Sequence, residues 1–386
     1  MTAVRPDNQP TMTQVAVSRA KTVEEAVKDV MSQITAEAIC FALAFVPDQL
    51  DPHELARKLE AAAPNSSFFG CSTAGQISLS GYETDALVVI AFPRAHFRCS
   101  SALFKPLSPI SIERVSEESR LLAARFPHTA NWRRIALVIA DGLSKKEDLL
   151  VAAISSGLGD IPVFGGSAGH GLAFDETLVL HGGKAHEDAA LLLLIETDLT
   201  FHGLGFDHFL PTAEHMVVTH AIPEERVVLE LNGVPAAQEY ARYVGCGVDD
   251  LSPEVFAENP VLVRNGKSWH VRAIQQVVED GGLSFLSAID DGLVLTLGRG
   301  TEILNTLERG LEVQDHGVAP DFILGFDCVL RRLEIDQKNL TGAVSDILKK
   351  HRVLGFNTYG EQHLGVHVNQ TFVGVAFYPP REGALF

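Results

Sequence analysis

The chain has 386 residues, enough for two or three domains at about 150 residues each. Its 31 lysine and arginine residues and 49 aspartate and glutamate residues give a formal charge of −18, which argues against nucleic-acid and anionic membrane partners. The longest apolar run, at 38–46, is far shorter than the roughly 20 residues of a membrane-spanning helix. The first fourteen residues carry no apolar segment, so we expect no secretory signal and a cytoplasmic protein.

Two similar series of elements follow one another in the first half. Each has an apolar strand-like run, a helical pattern, a turn of small residues and a second apolar strand headed by Asp-Ala. The first series places these at 39–44, from Pro52, at 68–75 and from Asp85; the second at 135–140, from Lys146, at 163–169 and from Asp188. We therefore predict an N-terminal domain over 20–215, built from two duplicated strand–helix–strand units of about 95 residues.

The small-residue turn of the second series has an alternative chemical interpretation. Residues 165–169 match G-x-S-x-G, the nucleophile elbow of α/β-hydrolases, with Ser167 as the nucleophile. The elbow needs a helix directly after the serine, whereas the following residues read as loop and strand. Neither series has a phosphate-binding glycine pattern. A structural turn is the main interpretation, and a serine hydrolase using Ser167 is an alternative.

A different set of elements begins near residue 214. We predict strands at 226–231, 283–289, 293–297, 322–326 and 367–377, and helices from Pro235 and at 300–311 and 340–350. The repeat of the first half is not apparent here. We therefore predict a second domain over 216–380 and an α/β (α+β) fold of two domains.

Several segments of the chain resemble the FIST family. RVVLELNGVPAAQEYARYVG, ILGFDCVLRRLE and GFNTYGEQHLGVHVNQTFVGVAF resemble the FIST C domain, and FFGCSTAGQISLSG and VFGGSAG resemble the FIST N domain. The resemblance covers the chain from about 20 to 380. It implies a bacterial sensory module without enzymatic activity that binds a small ligand. Because the two domains fill the chain, it also implies signalling to a separate partner.

The GEQ…H-x-N-Q-T ending is similar to that of stand-alone FIST proteins that sense nitric oxide. That resemblance implies bound haem b, nitric oxide as the signal, and two-component regulation through a partner histidine kinase. The alternative is a FIST sensor of a small metabolite, such as an amino acid, with no metal. We also allow for a homo-oligomer.

The predicted cofactor-binding residues come from the C-terminal signature. Haem iron is most often held by a neutral histidine, and without a C-x-x-C-H motif the haem is not covalently attached. His367 is the first candidate for the metal ligand, and the alternatives are His351, His363 and His220. The other predicted residues are Tyr359, Glu361, Asn369 and Arg331. We expect an arginine of the Arg331 segment to pair with Glu361 or with a ligand carboxylate.

Each candidate also has a structural interpretation. If 367–377 is one strand, His367 and Asn369 begin a face that ends apolar, and a buried His367 with both nitrogens bonded fits as well as a ligand. His351 follows a helix, where a cation favours the helix dipole. The spacing of His363 and His367 suits zinc only on a helix. Cys328, beside Arg331, is either a reactive thiol or, like most of the five scattered cysteines, a reduced and buried one.

Overall fold

A computed structural model describes residues 12–172, 174–266 and 268–380. The prediction of no secretory signal concerned the first fourteen residues. Of these, residues 1–11 lie outside the described residues. The described chain forms three similar α/β units, together called the body, and one inserted domain.

The first unit alternates strands and helices and adds a hairpin before its last strand. Thr22 caps its first helix by accepting a hydrogen bond from the Glu25 amide, and Asp51 caps its second, which starts with Pro52. The elements are β1 (Gln14–Ser18), α1 (Val23–Gln33), β2 (Ile39–Val46), α2 (Pro52–Ala62), β3 (Ser67–Ser72), β4 (Gln76–Ser78), β5 (Gly81–Glu83) and β6 (Leu87–Pro93).

The second unit repeats that order. Ser111 caps its first helix by accepting a hydrogen bond from the Arg114 amide. The elements are β7 (Phe97–Phe104), α3 (Ile112–Arg125), β8 (Arg133–Ala140), α4 (Glu147–Leu158), β9 (Val163–Ser167), β10 (Val179–His181), β11 (Lys184–His186) and β12 (Ala190–Thr197).

The third unit starts with β13 (Thr200–Phe206) and is then interrupted by the inserted domain, at 209–300. The inserted domain consists of β14 (Phe209–Ile222), β15 (Val227–Leu231), β16 (Val234–Pro235), α5 (Ala236–Val244), α6 (Pro253–Glu258), β17 (Val261–Asn265), β18 (Ser268–Arg272), β19 (Ile274–Val277), β20 (Leu283–Phe285) and β21 (Val294–Gly300). The third unit resumes with α7 (Ile303–Leu311), β22 (Phe322–Cys328), α8 (Val329–Gln337), α9 (Thr341–Lys350), β23 (Val353–Thr358), β24 (Glu361–His363), β25 (Val366–Val368) and β26 (Phe372–Tyr378).

A glycine at the same place in β3, β9 and β23 confirms that the units are equivalent. A Cβ added to Gly70, Gly165 or Gly355 would lie 1.8, 1.9 or 1.8 Å from a carbonyl oxygen of the parallel neighbour strand. The duplication predicted in the first half is therefore confirmed. The expectation that the second half lacks the repeat is wrong, because the inserted domain separates β13 from its helix and conceals the period.

The hairpin of each unit pairs with a strand in the sheet of another unit. The β4–β5 hairpin pairs with β23, the β10–β11 hairpin with β3, and the β24–β25 hairpin with β9. The sheets of the body have the orders β1-β6-β2-β3-β10-β11, β25-β24-β9-β8-β12-β7 and β13-β26-β22-β23-β4-β5. The exchange closes the three units into a ring.

The central core lies where the inner faces of the three sheets meet. Along β2, the large side chains Phe41, Leu43 and Phe45 face this core, while the smaller residues between them pack against α1 and α2. The same alternation holds in β8. The rings of Phe45 in the first unit and Phe356 in the third are in contact, with centroids 4.7 Å apart and planes tilted by 32°. One core thus joins both halves of the chain.

The inserted domain has its own core under a curved sheet with the order β18-β17-β21-β14-β15-β20-β19, to which β16 is added. A buried ion pair fastens it to the second unit: Arg226 Nη2 lies 2.8 Å from Glu147 Oε2 and 2.9 Å from Asp148 Oδ2. The predicted division between residues 215 and 216 falls within β14, and the domain boundaries stay a prediction.

The α/β fold is confirmed, and the helices predicted at 300–311 and 340–350 appear as α7 and α9. The single strand predicted at 367–377 is wrong. It is divided into β25 and β26, because Gln370 between them takes a left-handed conformation with φ of 49°. The alternation counted from His367 therefore does not continue to Phe377.

Candidate functional site

The carboxyl ends of three parallel strand pairs, β2–β3, β8–β9 and β22–β23, meet at the centre of the body. Three backbone hydrogen bonds link the units there into a closed ring: Ala74 N to Asn357 O (3.1 Å), Gly169 N to Ser72 O (3.1 Å) and Tyr359 N to Ser167 O (3.3 Å). Ligands of α/β proteins commonly bind at the carboxyl ends of parallel strands. These three hydrogen bonds define the axial ring, and a ligand site is expected beside it.

Tyr359 is the large side chain among three equivalent positions, of which the others are Ala74 and Gly169. Its hydroxyl accepts hydrogen bonds from the amides of His170 (3.0 Å) and Phe174 (3.3 Å) and donates one to the His170 carbonyl (2.9 Å). Its ring stacks on Phe174 at 4.4 Å. Burial raises the pKa of Tyr359 to about 12, so the phenol is neutral at pH 7. Tyr359 thus holds His170 and Phe174 over the axial ring.

Replacing Tyr359 by phenylalanine is expected to loosen these two residues. The three hydrogen bonds of the hydroxyl disappear and leave two amides unpaired, which costs about 1–3 kcal/mol of unfolding free energy. Urea denaturation measures the loss, and hydrogen exchange should quicken at the amides of His170 and Phe174. Tyr243→Phe is the control, because the hydroxyl of Tyr243 bonds the His215 carbonyl at an exposed place. Equal losses in the two variants would contradict the assignment.

A partly enclosed cavity of about 290 Å³ opens beside the axial ring. Its walls are the segments after β2 and β3, the turn before β6, the loop after β9 and one face of α8. The cavity therefore lies between the first and third units, with the second unit closing one side. Its position follows from the ring closure, since neither half of the chain forms it alone.

The cavity carries ionisable groups of both signs: Asp48, Glu83, Asp85 and Asp336, with Arg332. Glu83 is bound by Arg19 at 2.6 Å, and Arg332 Nε donates to Asp336 at 2.9 Å while its guanidinium lies 4.0 Å from the centre of the Tyr82 ring. Partial burial, together with the nearby Asp85, raises the pKa of Asp48. The Asp48 side of the cavity thus has excess negative charge, and Arg332 supplies a cation on α8.

His367, the first predicted metal ligand, is buried on β25 with protein groups at both ring nitrogens. Nε2 lies 3.2 Å from the Leu286 carbonyl oxygen, and Nδ1 lies 3.4 Å from the amide nitrogen of Gln362. The same amide donates to Ser167 Oγ at 3.1 Å. Ser167 is fully buried, and β9 continues into an irregular loop instead of a helix. This arrangement fits the structural interpretation of both residues and does not fit a nucleophile elbow.

Glu361 is a buried anchor for the hairpin of the third unit. Its carboxyl group accepts hydrogen bonds from Thr358 Oγ1 (2.5 Å), Thr371 Oγ1 (2.7 Å) and Thr371 N (3.1 Å). Burial raises the pKa of Glu361 to about 8. Arg331 is also buried, but its Nε donates to Asp327 Oδ1 at 2.8 Å. The expected pair of Arg331 with Glu361 is therefore wrong.

The remaining predicted residues lie in different parts of the molecule. His363 lies on β24 and His367 on β25, where His367 pairs with Gln362. Because His363 is the neighbour of Gln362, the imidazoles of His363 and His367 face opposite sides of the ribbon. They cannot bind one zinc ion in this arrangement. His351 follows α9 near Glu308, and burial lowers the pKa of its imidazole, which disfavours the cation that the capping interpretation needs. His220 is exposed on β14. Cys328 is buried, which raises the pKa of its thiol well above the ordinary value and fits an inert cysteine.

The structure brings part of the predicted set together. Asn369 and His367 surround Gly360, and both polar atoms of the buried Asn369 side chain are without a hydrogen-bond partner in the described part of the chain. Tyr359 lies in the axial ring. Asp48 was not predicted, and Arg332 was covered only as an arginine of the Arg331 segment. Asp48 lies two residues after the end of β2, and Arg332 lies near the start of α8, after β22.

Comparisons with known proteins agree with the fold. The FIST N domain matches residues 40–234, half of the chain, and the FIST C domain matches residues 236–363. The chain belongs to the FIST family. FIST domains imply a sensory or signalling role, and the two matches confirm the two-domain organisation.

An uncharacterised protein of Methanocaldococcus jannaschii is 25% identical to this FIST chain over 264 residues. The match covers 61% of this chain and 48% of the relative, so the chain spans about half the length of that relative. None of the helices in the described residues combines the length and apolar character that a membrane crossing needs. The same part of the chain holds no group of three or more His, Cys, Asp or Glu residues arranged for a metal ion.

A solved structure of a cyanuric acid hydrolase is similar at 8% identity with a TM-score of 0.35, covering 95% of this chain and 99% of that chain. The expectation that the protein lacks enzymatic activity is contradicted by this match to a hydrolase and is withdrawn. At this TM-score the likeness supports no particular reaction.

Proposed function

We propose that this FIST protein senses a small zwitterionic metabolite, such as an amino acid, bound in the cavity beside the axial ring. The observation that carries the proposal is a cavity with charges of both signs where three strand pairs end. Its volume of about 290 Å³ is just below the usual range for small-molecule sites, about 300–1,000 Å³. A metabolite of a few heavy atoms suits this size.

The charges in the cavity match an ammonium group and a carboxylate held a few bonds apart. Asp48 and Asp85 attract the ammonium group, because a cation between the two carboxylates relieves their mutual repulsion. Arg332 attracts the carboxylate, which takes the place of its present partner Asp336, since a guanidinium presents paired donors to two oxygens. Tyr359 and the loop it holds cover the side toward the second unit.

Haem, nitric oxide and a partner histidine kinase stay predictions from the family resemblance. The candidate ligands do not fit haem in this structure: His367 is enclosed by the Leu286 carbonyl and Gln362, and His220 lies on an exposed strand of the inserted domain. The cavity beside the axial ring has carboxylates where a porphyrin needs apolar walls. The signal input in this proposal is therefore this cavity.

The signal passes, in this proposal, to a separate protein partner. A formal charge of −18 favours a partner with a basic face, because complementary potentials speed association. A pull-down with the purified FIST chain as bait identifies the partner.

A thermal-shift screen of the twenty amino acids and simple amines tests the proposal. A ligand at 100 times its dissociation constant stabilises the native state by about 2.7 kcal/mol and raises the melting temperature. Asp48→Asn and Arg332→Gln should each weaken binding about tenfold or more in calorimetry, because each removes one charge-assisted contact worth about 1.5–3 kcal/mol.

Exposed residues of the same types, away from the cavity, provide the controls. Asp160→Asn and Arg125→Gln should leave the affinity unchanged. A screen with no hit, or a hit whose affinity falls as much in the controls as in the cavity variants, would reject the proposal. Stoichiometric haem uptake with a Soret band that weakens in His367→Ala would favour the haem prediction instead.

A further inference from the structure

Two connections attach the inserted domain to the body, and both meet at His208. The chain leaves the third unit after Phe206 and returns at Thr301. The amide and the hydroxyl of Thr301 both donate to the His208 carbonyl oxygen, at 2.7 and 2.8 Å. The outgoing and returning strands are thus tied together at one residue.

The buried side chain of His208 fixes these connections to α8. Nε2 lies 2.9 and 3.0 Å from the two carboxylate oxygens of Glu334, and Nδ1 lies 3.2 Å from Arg331 Nη1. A guanidinium only donates hydrogen bonds, so Nδ1 must accept and the proton is on Nε2, which donates to Glu334. The clamp, defined as His208 with Arg331 and Glu334, therefore requires a neutral imidazole in one tautomer.

The charged groups around the clamp come from several elements. Lys338, the residue after the end of α8, donates to Glu334 at 2.6 Å. On β22, Asp327 accepts from Arg331 and also from the hydroxyl of Tyr82 on β5. Asp207 precedes His208 in the outgoing connection. Burial lowers the pKa of His208. Protonation at Nδ1 would place a donor against the Arg331 donor and add a cation beside the guanidinium, so it opens the clamp.

The opposite face of α8 lines the cavity. At 100° per residue, Val329, Arg332, Leu333 and Asp336 form one face of the helix, and Arg331, Glu334 and Lys338 form the face about 180° away. A displacement of this helix of nine residues therefore reaches the cavity wall and the clamp together.

We propose that α8 and His208 couple the cavity to the inserted domain: filling the cavity displaces α8, and the clamp passes that displacement to both connections. The inference rests on the proposed function for the cavity as the input. The inserted domain is then the output element, and acidification loosens its two connections independently of any ligand by protonating His208.

Hydrogen exchange of the full-length protein, followed by mass spectrometry, tests the clamp. After correction for intrinsic exchange, residues 207–210 and 299–303 of the natural protein should exchange about tenfold faster at pH 5.5 than at pH 7.5. His208→Gln keeps one donor and one acceptor but takes up no proton, so it should abolish this step. His351→Gln, at another largely buried histidine, should leave the step intact.

A substitution that fills the cavity tests the coupling without a known ligand. Leu172→Trp adds bulk to the cavity wall and should change exchange in both connections about threefold or more at pH 7.5, whereas Leu79→Trp, in the β4–β5 turn, should not. His208→Phe keeps an aromatic ring at this position but makes neither hydrogen bond. It should therefore cancel the effect of Leu172→Trp.

The outcomes separate this inference from the proposed function. Absence of the pH step in the natural protein, or of an effect of Leu172→Trp on the connections, overturns the coupling. If both arms behave as expected while the amino-acid screen finds no ligand, the proposed ligand class fails and the coupling stands. The His208→Gln and Leu172→Trp arms decide the question even if His208→Phe does not fold.

Discussion

Gly355→Ala is expected to lower the free energy of unfolding by more than about 3 kcal/mol, at the upper end of what single substitutions do. An added Cβ would lie 1.8 Å from the Gly325 carbonyl oxygen and 2.8 Å from its carbon, both in the backbone of the adjacent parallel strand. Backbone atoms of a central strand do not move aside as a flexible side chain does, so β22 and β23 must separate.

Urea denaturation of the full chain measures this loss, and Gly342→Ala is the matched control. Gly342 lies in α9 with nothing within 4 Å of an added Cβ, so alanine should stabilise the protein by up to about 1 kcal/mol through its helix propensity. Gly70→Ala and Gly165→Ala should be as damaging as Gly355→Ala. A mild effect at any one of the three glycines would contradict the equivalence of the units.

Glu361→Gln is expected to make the protein more stable at alkaline pH and to remove a pH dependence. The pKa of Glu361 is about 8 in the folded protein and about 4.5 in the unfolded chain, so the folded state binds the additional proton between these values. The stability that this proton contributes is therefore fully present below pH 4.5. As pH rises to about 8, the free energy of unfolding falls by up to about 1.4 kcal/mol per pH unit. Glutamine carries no such proton.

The first unit already contains this substitution. Gln76 occupies the place of Glu361, donating to Thr73 Oγ1 at 2.8 Å and accepting from the Ala86 amide at 3.3 Å. A glutamine at 361 can bond Thr358 and Thr371 in the same way. Urea midpoints of the natural protein and Glu361→Gln, measured at pH 5.5 and 8, should diverge with pH; Glu187→Gln, at an exposed site, should follow the natural protein. Parallel midpoints would disprove the expectation.

Local features of the fold could be predicted from the sequence because local residues determine them. Asp51 and Pro52 mark the start of α2, and the apolar run at 39–44 marks β2, since caps and strand alternation depend on near neighbours. The third unit was not predicted because the inserted domain at 209–300 lies between its first strand and the remainder. A period is lost when its unit is interrupted by a domain of another fold.

The sequence predicted only part of the candidate site, because some of its residues meet only in the folded chain. Tyr359 was singled out through the family signature and does lie in the axial ring. Asp48 and Arg332 come from opposite ends of the chain and meet only through the ring closure, so no local pattern connects them. His367 was ranked first because it lies in the family signature, and the alternation counted from it is interrupted at Gln370. Backbone geometry at one residue decided which side chains share a face.

The exchange of hairpins has a consequence for how this protein is made. During synthesis the β4–β5 hairpin emerges early, but its partner strand β23 leaves the ribosome almost three hundred residues later. Until then the ring is open and an unpaired strand edge is available to other nascent chains. A ribosome that stops before β23 releases a product with that edge exposed. We therefore expect truncated chains to aggregate and the body to complete its fold only after release.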